Sequence, residues 1–363
     1  MRERRRQPSP TSGTSSALKS PGQTVTHLVL AVFVASAYLF GWRGLMVPSS
    51  DGTPTSEGVF MMYVTSLMAV PAVSGYLTVA LAHRRNVVTN VRRALLLPQA
   101  SIILSSLLAL LFGYEGLICL VIWVPLGIFM SAMGGLIAYN LKHQHGIIWP
   151  AVLALPPALL PIEAKLSFDD STTRVTSNIV VEAAPSAVWE QVKSVPMIRP
   201  DEMPASWVHR MGFPRPLAAT LSHEGVQGVR IATFERGLVF EETVTEWMPE
   251  EKLAFRIEVD PASVPPEALD EHVVIGGRYF DVLHGTYTLT RTPEGHTLVR
   301  LESTFRLSTH INAYAGLWTE AIMDRIQLDI LSVIKRRAEK QPAQTGVKAA
   351  ETRSTLRDVR RST

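Results

Sequence analysis

The chain is poor in cysteine and in charge. It has one Cys in 363 residues, which excludes an intrachain disulfide and with it a disulfide-stapled scaffold. Charged residues make up 18% of the chain, against about 25% in a soluble globular domain. With 47% hydrophobic residues, neither a disordered chain nor an ordinary cytosolic enzyme fits. Residues 164–340 contain no HxH, HExxH or CxxC spacing and no Ser framed as a nucleophile elbow, so no motif announces a metal centre or an acyl-transfer triad there. At about 150 residues per domain the length suggests two units.

The scarcity of charge is uneven. Residues 1–163 carry 11 Lys/Arg against 5 Asp/Glu, residues 164–340 carry 19 against 25, and residues 341–363 carry 5 against 2. A net charge of +3 therefore hides a basic, oily first part and an acidic, ordinary second part. That asymmetry points to a membrane region joined to a water-soluble one.

Crossing about 30 Å of hydrocarbon takes roughly 20 apolar residues. Gly22–Trp42, Gly58–His83, Ala94–Tyr114 and Gly116–Leu141 reach that length without a formal charge. They are apolar on all faces, which predicts a membrane bundle over residues 22–162 rather than the core of a large soluble protein. Ser131, Ala132, Gly134 and Gly135 offer a face of small residues for close helix packing. The basic start (Arg2, Arg4, Arg5, Arg6) and Ala35-Ser36-Ala37 could belong to a cleaved signal peptide, but the apolar run continues to Trp42, which favours a retained anchor. A fifth stretch, His143–Ile162, has its apolar centre at Ile147–Leu160 and contains Pro150, Pro156 and Pro157. It is either a short fifth span or a Pro-broken interfacial segment.

Loop charges orient the bundle. Arg84, Arg85, Arg92 and Arg93 in the second loop, and Lys142 in the fourth, mark the cytoplasmic side, as does the basic N-terminal segment. Asp51, Glu57 and Glu115 mark the other side. The expectation is an integral protein of the cell (inner) membrane with a cytoplasmic N-terminus. If the fifth stretch spans, the second part of the chain is extracytoplasmic, which is the reading preferred here because that stretch has no polar face to lay on a membrane surface.

From Arg174 the pattern changes. Arg174–Glu182 is rich in β-branched residues and reads as a strand, and Pro185 opens a short helix with Val188, Trp189 and Val192 on one face. Six further strands follow, Leu217–His223, Gly228–Phe234, Leu238–Trp247, Leu253–Val259, Tyr279–Thr290 and Thr297–Leu307, separated by Gly and Pro. In Leu253–Val259 the odd positions are apolar and Arg256 and Glu258 are not, so one face is buried and one is wet. A helix runs from Asn312, read as its N-cap, to about Glu339. At about 1.5 Å per residue it is roughly 40 Å long, enough to cross a whole sheet. Domain limits follow: a basic disordered segment 1–21, the bundle 22–162, a soluble domain 174–340 and a disordered basic tail 341–363.

Val180–Val192 (VVEAAPSAVWEQV), Gly225–Gly237 (GVQGVRIATFERG), Glu242–Arg256 and the terminal helix resemble the START-related, polyketide cyclase/dehydrase-like (SRPBCC) superfamily. The resemblance covers Arg174–Glu339. It implies a fold class of membrane α-helical bundle plus an α+β helix-grip domain, a curved antiparallel sheet around a long C-terminal helix, with a ligand cavity between them. The candidates for its lining are Phe240, Phe255, Ile257, Tyr287, Phe305, Tyr314, Trp318 and Ile322, each of which could equally fill a core. Glu242, Tyr279 and His284, with Arg256, are the polar positions where cyclases and hydratases of the superfamily place acids, His or Tyr. Glu242 shares the parity of Leu238, Phe240 and Val244, so it is either a pocket acid or a carboxylate paired with an Arg on a neighbouring strand.

No set of polar residues amounts to a catalytic or metal site, and His143 with His145 reads as loop polarity. The expectation is a non-enzymatic, cofactor-free module whose partners are membrane lipids and a hydrophobic small molecule. The alternatives are a cyclase/hydratase-type enzyme on an apolar substrate and an interaction protein with a protein partner. Nucleic acid is excluded as a partner by the acidic soluble part.

Overall fold

A computed structural model of the chain describes residues 21–44, 64–84, 88, 90–113, 115–141, 145–163, 165–166, 170–265, 268–269, 275–277 and 279–340. The basic segment 1–20, Arg85, Lys142, His143, His272 and the tail 341–363 lie outside the described residues.

The apolar runs are helices. They are α1 (Pro21–Gly44), α2 (Val70–Arg84, entered through a π turn at Thr65–Ala69), α3 (Val91–Leu111), α4 (Leu117–Asn140) and α5 (His145–Glu163). Three of these, Thr65–His83, Val91–Leu111 and Leu117–Asn140, are long and apolar enough to cross a membrane, whereas the apolar segments Val29–Leu39 of α1 and Pro150–Glu163 of α5 are shorter. The Pro-rich fifth stretch is an unbroken helix of 19 residues. Ala35 and Ser36 are buried within the bundle; the Ser36 hydroxyl donates to the Ser101 carbonyl at 3.3 Å, and the Ala35 carbonyl accepts from Ser74 at 3.4 Å.

Small residues decide how closely the helices approach. A Cβ on Gly134 would collide with the Ala72 carbonyl, one on Gly75 with the Ser131 carbonyl, and one on Gly135 with the Ala94 carbonyl. The α2–α4 crossing is thus backbone against backbone, the close approach that small residues permit. Large apolar side chains such as Phe33, Leu107 and Phe129 point outwards, a surface suited to lipid rather than water.

The second part is one seven-stranded antiparallel sheet in the order β1-β7-β6-β5-β4-β3-β2. Its strands are β1 (Asp170–Val181), β2 (Pro216–Leu221), β3 (Val229–Phe234), β4 (Val239–Met248), β5 (Lys252–Glu258), β6 (Phe280–Arg291) and β7 (Thr297–Ser308). Register shifts between Pro216 and Ala218, Val244 and Glu246, and Val282 and His284 bend the sheet. Between β1 and β2 lie α6 (Pro185–Lys193), which buries Val188, Trp189 and Val192 as its periodicity predicts, and the single turn α7 (Trp207–Arg210). The long helix α8 (Asn312–Lys340) packs chiefly on β1, and also on α6 and β7. Asn312 is its first helical residue rather than its N-cap, because the Asn312 Oδ1 reaches back to accept from the Thr309 N–H at 2.8 Å and the Thr309 hydroxyl at 2.9 Å.

Two polar clusters fix α8. At its C-terminal end Arg337 donates to both oxygens of Glu202 (2.9 and 2.8 Å) and to the Pro196 and Met197 carbonyls, each at 2.7 Å. At its N-terminal end it meets the bundle. Glu163, the last residue of α5, accepts from the Val64 N–H (2.5 Å), the Thr65 N–H (2.9 Å) and the Thr65 hydroxyl (2.6 Å), and its Oε1 lies 3.0 Å from His310 Nδ1. The Tyr314 hydroxyl donates to the Ile122 carbonyl of α4 at 2.5 Å.

Two outcomes are expected. Gly134→Val should lower the unfolding midpoint of the detergent-solubilised protein, with a cost of about 1–3 kcal/mol for overpacking; an unchanged midpoint would mean the helices are not in backbone contact. The Glu202 carboxyl is held at about 2, chiefly by the Arg337 hydrogen bonds. A depressed carboxylate pKa stabilises the fold above the ordinary value of 4.5 and loses that contribution as pH falls towards about 2. The melting-temperature gap between wild type and Glu202→Gln should therefore be widest near neutral pH and close on acidification.

Candidate functional site

Between the sheet and α8 lies a cavity of about 310 Å³, within the range of about 300–1,000 Å³ typical of small-molecule sites. Antiparallel register puts its sheet wall together: Arg230 faces Glu242 and Ala232 faces Phe240 across β3 and β4, while Val244 faces Phe255 across β4 and β5. On β6, Gly285 stands opposite Phe255, and a Cβ there would collide with the Phe255 ring, so this glycine makes room for the aromatic wall. Tyr314, Trp318, Ile322 and Met323 of α8 close the other side.

Of the residues singled out from the sequence, Phe240, Glu242, Phe255, Ile257, Tyr279, Tyr287, Tyr314, Trp318 and Ile322 line the cavity. Phe305 does not. It is fully buried with Val175 and Leu307, its ring 6.1 Å from that of Phe280. His284 is exposed on the outer face. Counted in twos from Phe280 it would point inwards, but the register shift between Val282 and His284 passes the inner face to Gly285 and Tyr287. Arg256, its partner across the sheet, is also exposed and pairs with Glu258 at 3.1 Å.

A charged pair interrupts the mostly apolar wall, which also holds Ser303, Thr309, Thr319 and Gln327. Arg230 Nη1 and Glu242 Oε2 form an ion pair whose side chains are 4% and 9% exposed. The carboxylate is thus both paired with an Arg on the neighbouring strand and on the cavity wall. The guanidinium carbon lies 5.5 Å from the Phe255 ring centre and 6.0 Å from that of Tyr287, within cation–π range. Arg230 Nε is buried and has no hydrogen-bond partner among the described residues. Burial pushes the Glu242 carboxyl up, outweighing the pull of Arg230, and burial also raises the Tyr287 hydroxyl. Arg230 itself is kept charged by Glu242 and Tyr287 against its burial. Among the described residues no group of three His, Cys, Asp or Glu side chains could hold a metal ion.

Sequence reasoning missed Arg230 as a lining residue, although an Arg on a neighbouring strand was one of its two readings of Glu242; the β3–β4 register was the missing piece. It also missed the contribution of the bundle. Leu67 of the π turn and Ile118, Cys119, Ile122 and Trp123 of α4 line the same cavity, and no local pattern could have linked residues so far apart in sequence.

No protein-family model matches the chain, and no curated protein matches it. Among solved structures, DynU16, from the dynemicin biosynthetic locus, is 18% identical with a TM-score of 0.29 over 46% of this chain; the chain spans about half the length of DynU16, 47%. Truncated norcoclaurine synthase from Thalictrum flavum is 10% identical with a TM-score of 0.31, over 49% of this chain and 99% of that one. Protein MLL2253 from Mesorhizobium loti is 15% identical with a TM-score of 0.28, over 47% of this chain and 99% of that one.

The buried pair makes a separable prediction. Arg230→Met should destabilise the protein by about 3–5 kcal/mol, because it strands a buried carboxylate. Adding Glu242→Leu should recover most of that loss in a urea-unfolding measurement. If the double variant is no more stable than Arg230→Met alone, the two side chains are not coupled.

Proposed function

We propose that this is a membrane-anchored, START-like protein that holds a lipid or other hydrophobic small molecule in the cavity between sheet and long helix, without transforming it. The observation that carries this reading is an apolar cavity whose one buried ion pair is already self-neutralised. Such a wall rewards burial of an oily surface, at about 25 cal/mol per Å². Its charged contact is the Arg230–Glu242 pair, with Ser303 and Gln327 also in the lining, enough polarity to orient a ligand. The curved antiparallel sheet gripping a C-terminal helix supports membership of the START-related superfamily, with the soluble domain over 174–340.

The reading places residues 22–162 in the cell (inner) membrane as a bundle of four or five spans. Ile122 and Glu163 meet the soluble domain at one end of the bundle, while Arg84, Arg92 and Arg93 sit at the turn between α2 and α3. With those arginines cytoplasmic, as the N-terminus is in this reading, the soluble domain is extracytoplasmic and α5 is the fifth span.

A second reading has one observation in its favour: Glu242, with its raised pKa, and Tyr287 face the same cavity. These are the acid and hydroxyl a cyclase- or hydratase-type enzyme would use on an apolar substrate.

The test is to purify the full chain in mild detergent and extract it for mass spectrometry. An apolar molecule should co-purify in wild type and be lost in Ala232→Trp, which fills the cavity wall. A protein that never carries such a molecule and excludes apolar probes overturns the proposal. Conversion of the bound molecule, abolished by Glu242→Gln with occupancy retained, would establish the second reading instead.

A further inference from the structure

The cavity is not the property of the soluble domain alone. Five of its lining residues, Leu67, Ile118, Cys119, Ile122 and Trp123, belong to helices apolar enough to cross a membrane. Ile118 also lies against the backbone of Gly212 in the soluble half. We infer that the cavity is loaded from the bilayer itself, its occupant being an acyl chain of a membrane lipid that enters along the seam between the first turns of α4 and the first turns of α8. This rests on the reading of the cavity as an apolar ligand site and adds the ligand's source and route.

Three observations carry the inference. First, exposed apolar residues stand next to the lining on both sides of the seam. Leu117 is 49% exposed beside cavity-lining Ile118, and Leu317 is 68% exposed beside cavity-lining Trp318. A lipid tail moving along it never has to be hydrated, and hydration of each methylene is what opposes transfer through water. Second, Phe129, Met133 and Ile137 are exposed and follow Ile118 and Ile122 at helical spacing on α4, so the outward face of a span leads to the cavity wall. Third, Trp123, Tyr314 and Trp318 gather at this end of the bundle, where amphipathic rings settle at the headgroup level of a bilayer. The Tyr314 hydroxyl bridges the seam through its bond to the Ile122 carbonyl.

The test uses the full-length protein in nanodiscs of phosphatidylcholine carrying a photoreactive group on one acyl chain, with adducts mapped by mass spectrometry after irradiation. Adducts are expected on Phe255 and Tyr287, on the far wall of the cavity, as well as on lipid-facing Phe129. Ile122→Trp, which narrows the seam, should reduce the Phe255 and Tyr287 adducts several-fold while those on Phe129 persist. A photoreactive short-chain fatty acid added from the aqueous phase provides the second arm. If it labels Phe255 and Tyr287 in wild type and the phospholipid labels only Phe129, the cavity binds apolar ligands but is not fed by the bilayer, and the inference falls. If neither probe reaches Phe255 or Tyr287, the ligand-binding reading falls with it. In Ile122→Trp, retained labelling by the fatty acid shows that the cavity has folded; undiminished phospholipid labelling there would exclude the seam as the route.

Discussion

The architecture depends on where the long helix touches the sheet. α8 is held against β1 and β7 and clamped at its C-terminal end by the Arg337–Glu202 pair. The sheet, bent by its register shifts, curves around it; the C-terminal half of α8 packs Leu331 and Ile334 in one core with Val244, Leu253 and Leu289, and the space beside its N-terminal half is left as the cavity. Interiors normally fill to crystal-like density, so an apolar cavity of this size carries a cost in lost packing. The aromatic wall of Phe240, Phe255 and Tyr287 cannot collapse inwards, because each ring is seated by its neighbours: Phe240 against Phe234 at 5.1 Å, and Phe255 against Tyr287 at 6.2 Å and over Gly285.

The same helix links the two parts of the chain. Its first turns carry Tyr314 to α4, and the residues just before it carry His310 to Glu163 at the end of α5. Glu163 in turn satisfies the exposed N–H groups where the π turn at Thr65 begins, a place where an α-helix leaves its first donors without partners. One carboxylate therefore gathers the entry to α2, the exit of α5 and the approach to α8. A junction tied by a few directed hydrogen bonds, over an apolar cavity wall shared between the two halves, positions the mouth of the cavity at the end of the bundle.

Most of the element map was legible in the residues. The seven strands and the terminal helix lie within a few residues of where alternation and helical spacing put them, since period two and period 3.6 are local properties. The small-residue face at Ser131, Gly134 and Gly135 was legible for the same reason. His284 was not, because an inserted residue in β6 inverts parity and nothing in the composition of Asp281-Val282-Leu283-His284 announces it. Phe305 shares the inner face of its strand with lining residues, yet it lies under Phe280 rather than beside the cavity. Which inward residue packs and which lines depends on the curvature of the whole sheet.

The sequence by itself determined the division of this protein. A long run without charge is costly to expose to water and an alternating run buries only one face, so the boundary between oily and ordinary parts is written in the residues. Tertiary structure alone decided three things: that Glu242 meets Arg230, that the fifth stretch is one helix ending on Thr65 and His310, and that α4 supplies a wall of the cavity. Each is a contact between segments distant along the chain. Pairing register, sheet curvature and the landing point of a long helix arise from the summed packing of all elements, and no local pattern encodes them.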